Sequence, residues 1–451
     1  MFELQNRIII VDNNKGELET LGKSFFENGL GCRTFLYDEA YNSPLKNVRI
    51  AFFDINLTAK TVDHNYDNSA DLIKHNSSIF NDLGNALNLY ISNENGPFVL
   101  VFWTANKDVV SAFVEYMQDP NRGFENTASP IFISYIDKDE FMQQESSLLS
   151  EKVISLFKDD KIKFLFDFEY KASLAGEKTI NRIYNIIPKD AKWGESTILF
   201  DNLSKILSKI AASTLGFAYS KENPSKAVYE GLIPILNNEL TLINSDVNWN
   251  TLLAPLFAAA SYDKIVSPDD LIQRKVNSVF HIENSNGEKD VRGAIIKIDK
   301  TNSVLLLSLN ISNINAWFNE IIPFNSDKEA IKTQVRNNST LIALEISAAC
   351  DYSNRKDRIN KYILGFITPC INVKDDIAKH RRIESSYHVG GTNFHFADND
   401  FQIWLNLNFV FGTKTDDSRL EDTMFVLKKE IMDMIGNKYA SHISRIGITS
   451  F

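Results

Sequence analysis

The sequence predicts three consecutive parts of different fold class. These are an α/β domain with a five-stranded parallel sheet over residues 1–145, a helical connector over residues 146–250, and a β-rich domain closed by a helix over residues 251–451. Three observations support this division. Short apolar runs alternate with helical stretches at the start, apolar residues at helical spacing dominate the middle, and alternating runs return beyond residue 272. A chain of 451 residues also exceeds what one hydrophobic core usually supports.

The parallel sheet is predicted from five apolar runs that are rich in β-branched or aromatic residues. Such runs are typical of strands buried on both faces, as the strands of a parallel sheet are. The helical spacing of residues 15–29, directly after the first run, indicates that helices cover the sheet. The runs comprise residues 7–11, 32–36, 48–53, 98–103 and 131–136.

Polar side chains follow four of these predicted strands. Asp12, Asp54 and Thr104 come directly after the first, third and fourth runs, and Lys138 follows the fifth. Functional groups of open parallel sheets gather at the carboxyl ends of the strands, so we expect these side chains to meet at one edge. The alternative interpretation is that the two aspartates only begin loops, because aspartate is common at such positions.

The remaining elements are predicted from hydrophobic periodicity. The polar stretch 58–81 is interpreted as an insertion or enlarged loop, since Asp54 and Thr104 lie further apart than one helix and one strand require. A final helix is predicted over residues 418–443. Strands of the C-terminal part are predicted at residues 279–282, 293–298, 303–309, 340–346, 361–367 and 401–411.

Composition indicates a cytoplasmic protein and disfavours two classes of partner. The net charge of −10 argues against non-specific nucleic-acid binding, since that binding depends on lysine and arginine neutralising phosphates. No apolar run is long enough to span a membrane, and the N-terminus lacks the pattern of a secretory signal. The three cysteines, without framework spacing, fit a reducing compartment.

The strand ends resemble the receiver domains of response regulators, which have a flavodoxin-like fold. The matching pieces are Ile8–Asn14, Phe52–Leu57, Phe102–Ala105 and the region of Lys138, over about a third of the chain. Phosphoryl transfer to an aspartate needs a carboxylate nucleophile, a divalent metal, and groups that take up charge on the transferred oxygens. The order and placement of the four pieces favour this chemistry.

The resemblance implies a role for each residue. Asp54 is the phospho-acceptor, while Asp12, Asp54 and the backbone carbonyl of Asn56 bind Mg²⁺, which prefers oxygen ligands. Thr104 hydrogen bonds to a phosphoryl oxygen, and Lys138 pairs with the phosphoryl group.

Three departures from the family pattern leave the activity open. Receivers usually have two neighbouring acids after the first strand, and here the second position is Asn13. Asp139 follows Lys138 where proline is usual, and the stretch 58–81 could cover the acceptor pocket. Both a phosphorylated receiver and a catalytically silent pseudo-receiver remain compatible with the sequence.

The sequence supports two classes of function. The first is a signalling or adaptor protein, since divergent receivers of this build resemble components of prokaryotic two-component-like and anti-phage defence systems. That resemblance implies a protein partner, a histidine-kinase-like ATPase. The alternative is an enzyme regulated by the receiver domain, with an active site around Cys350 and Asp351, where a thiol beside a carboxylate could act as a nucleophile or metal ligand. Cysteine also commonly serves as a small buried hydrophobe.

Overall fold

The computed structural model describes residues 7–27, 31–58, 60–66, 68–104, 107–137, 160–245, 247–258, 268–347 and 359–444. The chain forms two compact units. The first consists of Met1–Phe168 and Asp246–Leu252, and the second of Glu169–Ser245 and Leu253–Phe451.

The first unit is built on a five-stranded parallel sheet, which confirms the predicted architecture. Its strands are β1 (Ile8–Asp12), β2 (Arg33–Leu36), β3 (Ile50–Asp54), β4 (Val99–Trp103) and β5 (Phe132–Ile136). Their spatial order is β2-β1-β3-β4-β5, and each neighbouring pair is parallel. β1, β3 and β4 are buried along their whole length, which is why their sequences are almost continuously apolar.

Helices cover both faces of this sheet. They include α1 (Lys15–Glu27), α2 (Ser69–Tyr90) and α3 (Lys107–Gln118). Successive side chains of a strand point to opposite faces, so Ile10 and Val11 belong to different hydrophobic cores. Phe25 of α1 packs in the core of Ile10, together with the partly buried Phe166, whereas α2 and α3 pack in the core of Val11.

The connection from β2 to β3, residues 37–49, contains aromatic packing in place of a helix. Tyr41 stacks on Tyr90 with ring centroids 4.6 Å apart, and Phe35 meets Tyr90 edge to face. Tyr90 is the last residue of α2 and is fully buried. The end of α2 therefore packs against both β2 and this connection.

The interpretation of residues 58–81 as an enlarged loop is wrong for its second half, because α2 begins at Ser69. Asn68 caps the helix by accepting a hydrogen bond from the N–H of Asp71. Asn76 lies on the buried side of α2 and donates to the carbonyls of Asp63 and Leu72. A buried polar residue on the apolar side interrupts the hydrophobic spacing from which a helix is predicted.

The middle of the chain is helical, as predicted. Its helices are α4 (Asp160–Ile186), α5 (Thr197–Leu215), α6 (Phe217–Glu222), α7 (Pro224–Leu242) and α8 (Trp249–Phe257). Among the described residues, none of the helices combines the length and the apolar character that crossing a membrane requires.

The C-terminal part is β-rich and ends in a helix, as predicted; its sheet is antiparallel and carries helices on both faces. Its strands follow the order β10-β12-β9-β8-β7-β13-β6, and β11 pairs with β12. The elements are α9 (Asp270–His281), β6 (Ile282–Glu283), β7 (Ala294–Ile298), α10 (Ser303–Ser308), α11 (Ile314–Ile321), α12 (Glu329–Asn337), β8 (Thr340–Glu345), β9 (Asn360–Pro369), β10 (Ser386–His388), β11 (Phe394–Phe396), β12 (Asn399–Thr413), β13 (Thr423–Leu427) and α13 (Lys429–Ile443).

The two faces of this sheet carry separate cores. Residues of α10, α11 and α12 pack on one face with Ile296 and Trp404. Ile431 and Ile435 of α13 pack on the other face with Ile295 and Leu405. The C-terminal helix therefore covers one side of the sheet.

Three local predictions for this part are wrong. Residues 303–309, predicted as a strand, form helix α10, and residues 279–281, also predicted as a strand, end helix α9. The predicted helix 418–443 begins only at Lys429, because residues 423–427 form β13 between β7 and β6. Short apolar runs fit both helix and strand, and the pairing partners that decide between them lie more than 100 residues away in sequence.

Candidate functional site

The carboxyl ends of β1 and β3 place two aspartates side by side. Val11 pairs with Phe53 in the parallel register, so Asp12 and Asp54, the next residues, end neighbouring strands. Asp12 is fully buried, and Asp54 is 8% exposed. Both ends belong to the same edge of the sheet, as the sequence analysis expected.

Glu17 of α1 joins the two aspartates, although the sequence analysis did not select it. Carboxylate oxygens of Asp12, Glu17 and Asp54 all lie within 4.8 Å of one another. The start of α1 positions Glu17: Asn14 Oδ1 accepts hydrogen bonds from the N–H groups of Gly16 and Glu17, and Asn14 Nδ2 donates to Glu17 Oε1 at 2.7 Å. Asn14 thus caps α1 with its side chain, and the Asn-x-x-Glu pattern was a signal available in the sequence.

Asn13 holds the loop that follows Asp54. Its side-chain amide donates to the carbonyl of Asn56 at 2.7 Å and more weakly to that of Thr58 at 3.4 Å. Asp54 Oδ1 accepts the N–H of Asn56 at 2.9 Å. The carbonyl of Asn56 was predicted as a metal ligand, and a carbonyl oxygen with one hydrogen bond retains a second lone pair. Asn13, at the position where receivers usually have a second acid, therefore orients the Asn56 carbonyl through its side-chain amide.

The electrostatics of the cluster favour a cation. Two unit charges about 4 Å apart near a protein surface repel by about 4 kcal/mol. Asp12, Glu17 and Asp54 bring three carboxylates to within 4.8 Å of one another, two of them buried. Carboxylate oxygens are hard ligands of the type that Mg²⁺ prefers, so the chemistry of this donor set fits a divalent metal ion.

Thr104 lies at the same edge of the sheet, one strand beyond Asp54. Trp103 pairs with Asp54 in the register of β3 and β4, and Thr104 is the next residue. Its side chain is largely buried, and its N–H donates to the carbonyl of Ile136 in β5 at 2.9 Å. Thr104 is thus connected to the last strand of the sheet.

Three predicted site residues lie outside the described residues. Lys138 follows the last described position of the first sheet, Asp137, while Cys350 and Asp351 follow β8. Their predicted roles stay predictions. The residues that the structure does bring together are Asp12 and Asp54, with Glu17 added.

Comparisons of the chain with protein-family models, with curated proteins and with solved structures gave no match.

Proposed function

We propose that the N-terminal unit is a receiver-like domain of flavodoxin-like fold that accepts a phosphoryl group on Asp54. The observation that carries the proposal is the cluster of Asp12, Glu17 and Asp54 at the carboxyl edge of a parallel sheet. The strand order 2-1-3-4-5 supports it, because doubly wound folds of that order bind their ligands outside the carboxyl ends of the strands.

The residues at this edge are suited to hold Mg²⁺. Asp12, Glu17 and Asp54 would supply carboxylate oxygens, and Asn56 its backbone carbonyl. Glu17 replaces the second acid that receivers usually have at the position of Asn13, which favours an active receiver over a silent one. When bound, the metal ion neutralises charge on the acceptor carboxylate and on the transferred oxygens.

The protein groups orient the reaction. Asp54 Oδ1 is fixed by the N–H of Asn56, so the acceptor carboxylate is held in one direction. Its oxygen attacks the phosphorus atom, a new O–P bond forms, and the bond from phosphorus to the donor breaks. With a phosphohistidine donor the electron pair of that bond returns to the imidazole. By resemblance, Thr104 and Lys138 then contact the phosphoryl oxygens.

A signalling or adaptor role follows from the connection between Thr104 and β5. β5 is an edge strand of the sheet, and Phe132 and Tyr135 are each 38% exposed. A movement of Thr104 would be transmitted to β5 through the hydrogen bond from its N–H to the Ile136 carbonyl. Occupancy of the Asp54 site would in this way shift the population of conformations that a protein partner binds. The partner proposed from the resemblance is a histidine-kinase-like ATPase in a two-component-like or anti-phage defence system.

The proposal is tested by incubating the full chain with acetyl phosphate and Mg²⁺ and measuring its intact mass. We expect one added phosphoryl group, which Asp54→Asn removes and Glu17→Gln strongly reduces. The matched control is Asp71→Asn, an exposed carboxylate in the first turn of α2, which should leave the modification unchanged. An unmodified wild-type chain would contradict phospho-acceptor function and favour the silent receiver.

A further inference from the structure

Helix α9 directs its polar side towards the inside of the second unit and its apolar side towards solvent. Val279 and Phe280 are 71% and 66% exposed. Ser278 is buried, and the side chains of Arg274 and Asn277 hydrogen bond to the segment 392–400. Surface helices normally have the opposite orientation. The inward polar side lines a cavity.

The cavity has a volume of about 610 Å³, and sites for small organic ligands typically measure about 300–1,000 Å³. Besides α9, its walls come from the segment after β9, from residues 391–393 and from β12. Amide side chains are the most frequent polar groups of the lining. Its polar residues are Asp270, Gln273, Arg274, Asn277, Asn372, Lys374, His388, Thr392, Asn393 and Gln402.

Two amides of α9 present acceptors. Asn277 uses its Nδ2 group to donate to Thr392 Oγ1 at 2.5 Å and to the carbonyl of Asn393 at 2.9 Å. Gln273 uses its Nε2 group to donate to the carbonyl of Pro268 at 2.6 Å. With the amino groups occupied, the carbonyl oxygens Asn277 Oδ1 and Gln273 Oε1 are left to accept hydrogen bonds from a ligand.

Donors and positive charge lie beside these acceptors. Gln402 Nε2 donates to Asn393 Oδ1 at 2.6 Å, which leaves Asn393 Nδ2 as a donor. Arg274 is paired with two carboxylates, with Asp400 through Nη1 at 2.6 Å and with Asp270 through Nη2 at 3.6 Å, so its charge is already compensated within the protein. Lys374 adds an exposed ammonium group to the lining.

His388 contributes a neutral wall. Its ring stacks on Trp404 with centroids 4.5 Å apart, and Nε2–H donates to the carbonyl of Thr392 at 3.1 Å. Burial lowers the pKa of His388 to about 4, with a further contribution from Arg382. The imidazole is therefore uncharged at neutral pH, and its Nδ1 is an acceptor.

We propose that this cavity binds a nucleoside monophosphate, a role separate from that of the Asp54 site. A nucleobase edge carries donors and acceptors together, as the free atoms of Asn277, Gln273 and Asn393 do. The exposed ammonium group of Lys374 supplies a positive charge for a phosphate. An amino acid would fill only a small part of the volume.

The test is isothermal titration calorimetry of the full chain with each of the ribonucleoside monophosphates, with the matching nucleosides and with inorganic phosphate. We expect at least one monophosphate to bind, its nucleoside to bind more weakly, and phosphate alone to bind weakest. Lys374→Ala should weaken the monophosphate about fivefold and leave the nucleoside unchanged, which is the effect of losing a solvent-screened ion pair. Gln273→Ala should weaken both about fivefold by removing one hydrogen bond.

Lys379→Ala is the matched control, since Lys379 is exposed five positions further along but does not line the cavity. It should bind like the wild type. The proposal is overturned if no monophosphate binds at millimolar concentration, if phosphate alone accounts for all binding, or if Lys374→Ala and Gln273→Ala both bind unchanged. Both variants alter exposed or partly exposed side chains, and their thermal melting curves verify that they are folded.

Discussion

In the absence of metal ions, replacing Glu17 by glutamine should raise the stability of the folded protein. Added Mg²⁺ should abolish this advantage over the wild type. Glutamine retains an acceptor for the Asn14 amide, so the cap of α1 stays intact while one negative charge is lost. Two unit charges 4.8 Å apart repel by about 3.5 kcal/mol, and the partial exposure of Glu17 reduces the usable gain to about 1 kcal/mol.

Mg²⁺ should favour the wild type over the variant, because it binds the wild type more tightly. At ten times its dissociation constant, Mg²⁺ would stabilise the folded wild type by about 1.4 kcal/mol. A variant that binds about tenfold more weakly would gain only about 0.4 kcal/mol at the same concentration. The advantage of Glu17→Gln in a chelator, about 3 °C in melting temperature, should therefore disappear when Mg²⁺ is added.

Differential scanning calorimetry with EDTA and with Mg²⁺ measures both effects. Glu19→Gln is the control, because Glu19 lies on the same helix, is 71% exposed and pairs only weakly with Lys15 at 3.8 Å. It should change neither the melting temperature nor the response to Mg²⁺. A Glu17→Gln variant with the full wild-type response would refute the assignment of Glu17 to the metal site, and one that melts lower in EDTA would refute the repulsion.

Three further predictions concern separate parts of the chain. Asn13→Ala should lower the free energy of unfolding by about 1 kcal/mol and weaken Mg²⁺ binding, because the carbonyl of Asn56 loses the hydrogen bond that Asn13 donates. Urea titrations with and without Mg²⁺ measure both effects. Burial lowers the pKa of His388 from 6.5 to about 4, so the unfolded state binds the proton more readily than the folded state. Up to about 3 kcal/mol of the unfolding free energy, present above pH 6.5, should therefore be lost as the pH falls towards 4. His388→Gln should remove that part of the pH dependence, as measured by urea titrations at several pH values. Gly365→Ala should destabilise the protein by about 3 kcal/mol or more, because a Cβ there would overlap the backbone of β12. As the control, Gly176→Ala in α4 places its Cβ in open space and should leave the stability unchanged or raise it. Calorimetry measures both variants.

The sequence by itself determined the N-terminal sheet and half of its candidate site. Continuous apolar runs such as residues 50–53 and 99–103, rich in β-branched and aromatic residues and alternating with helical stretches, are typical of strands buried on both faces, so their number, their direction and the edge at which Asp12 and Asp54 meet could be predicted. Each of these features depends on residues adjacent in sequence and on the general geometry of parallel sheets.

The tertiary structure decided what depends on contacts between distant segments. Glu17 joins the aspartates because its hydrogen bond with the Asn14 side chain holds it near the strand ends, and only the packing of α1 on the sheet fixes that direction. Residues 423–427 become a strand because β7 and β6 flank them, and the polar side of α9 faces inward because partners near residue 393 accept its hydrogen bonds. Periodicity describes one segment at a time, whereas these outcomes depend on the free energy of pairing two segments, which no single stretch of sequence contains.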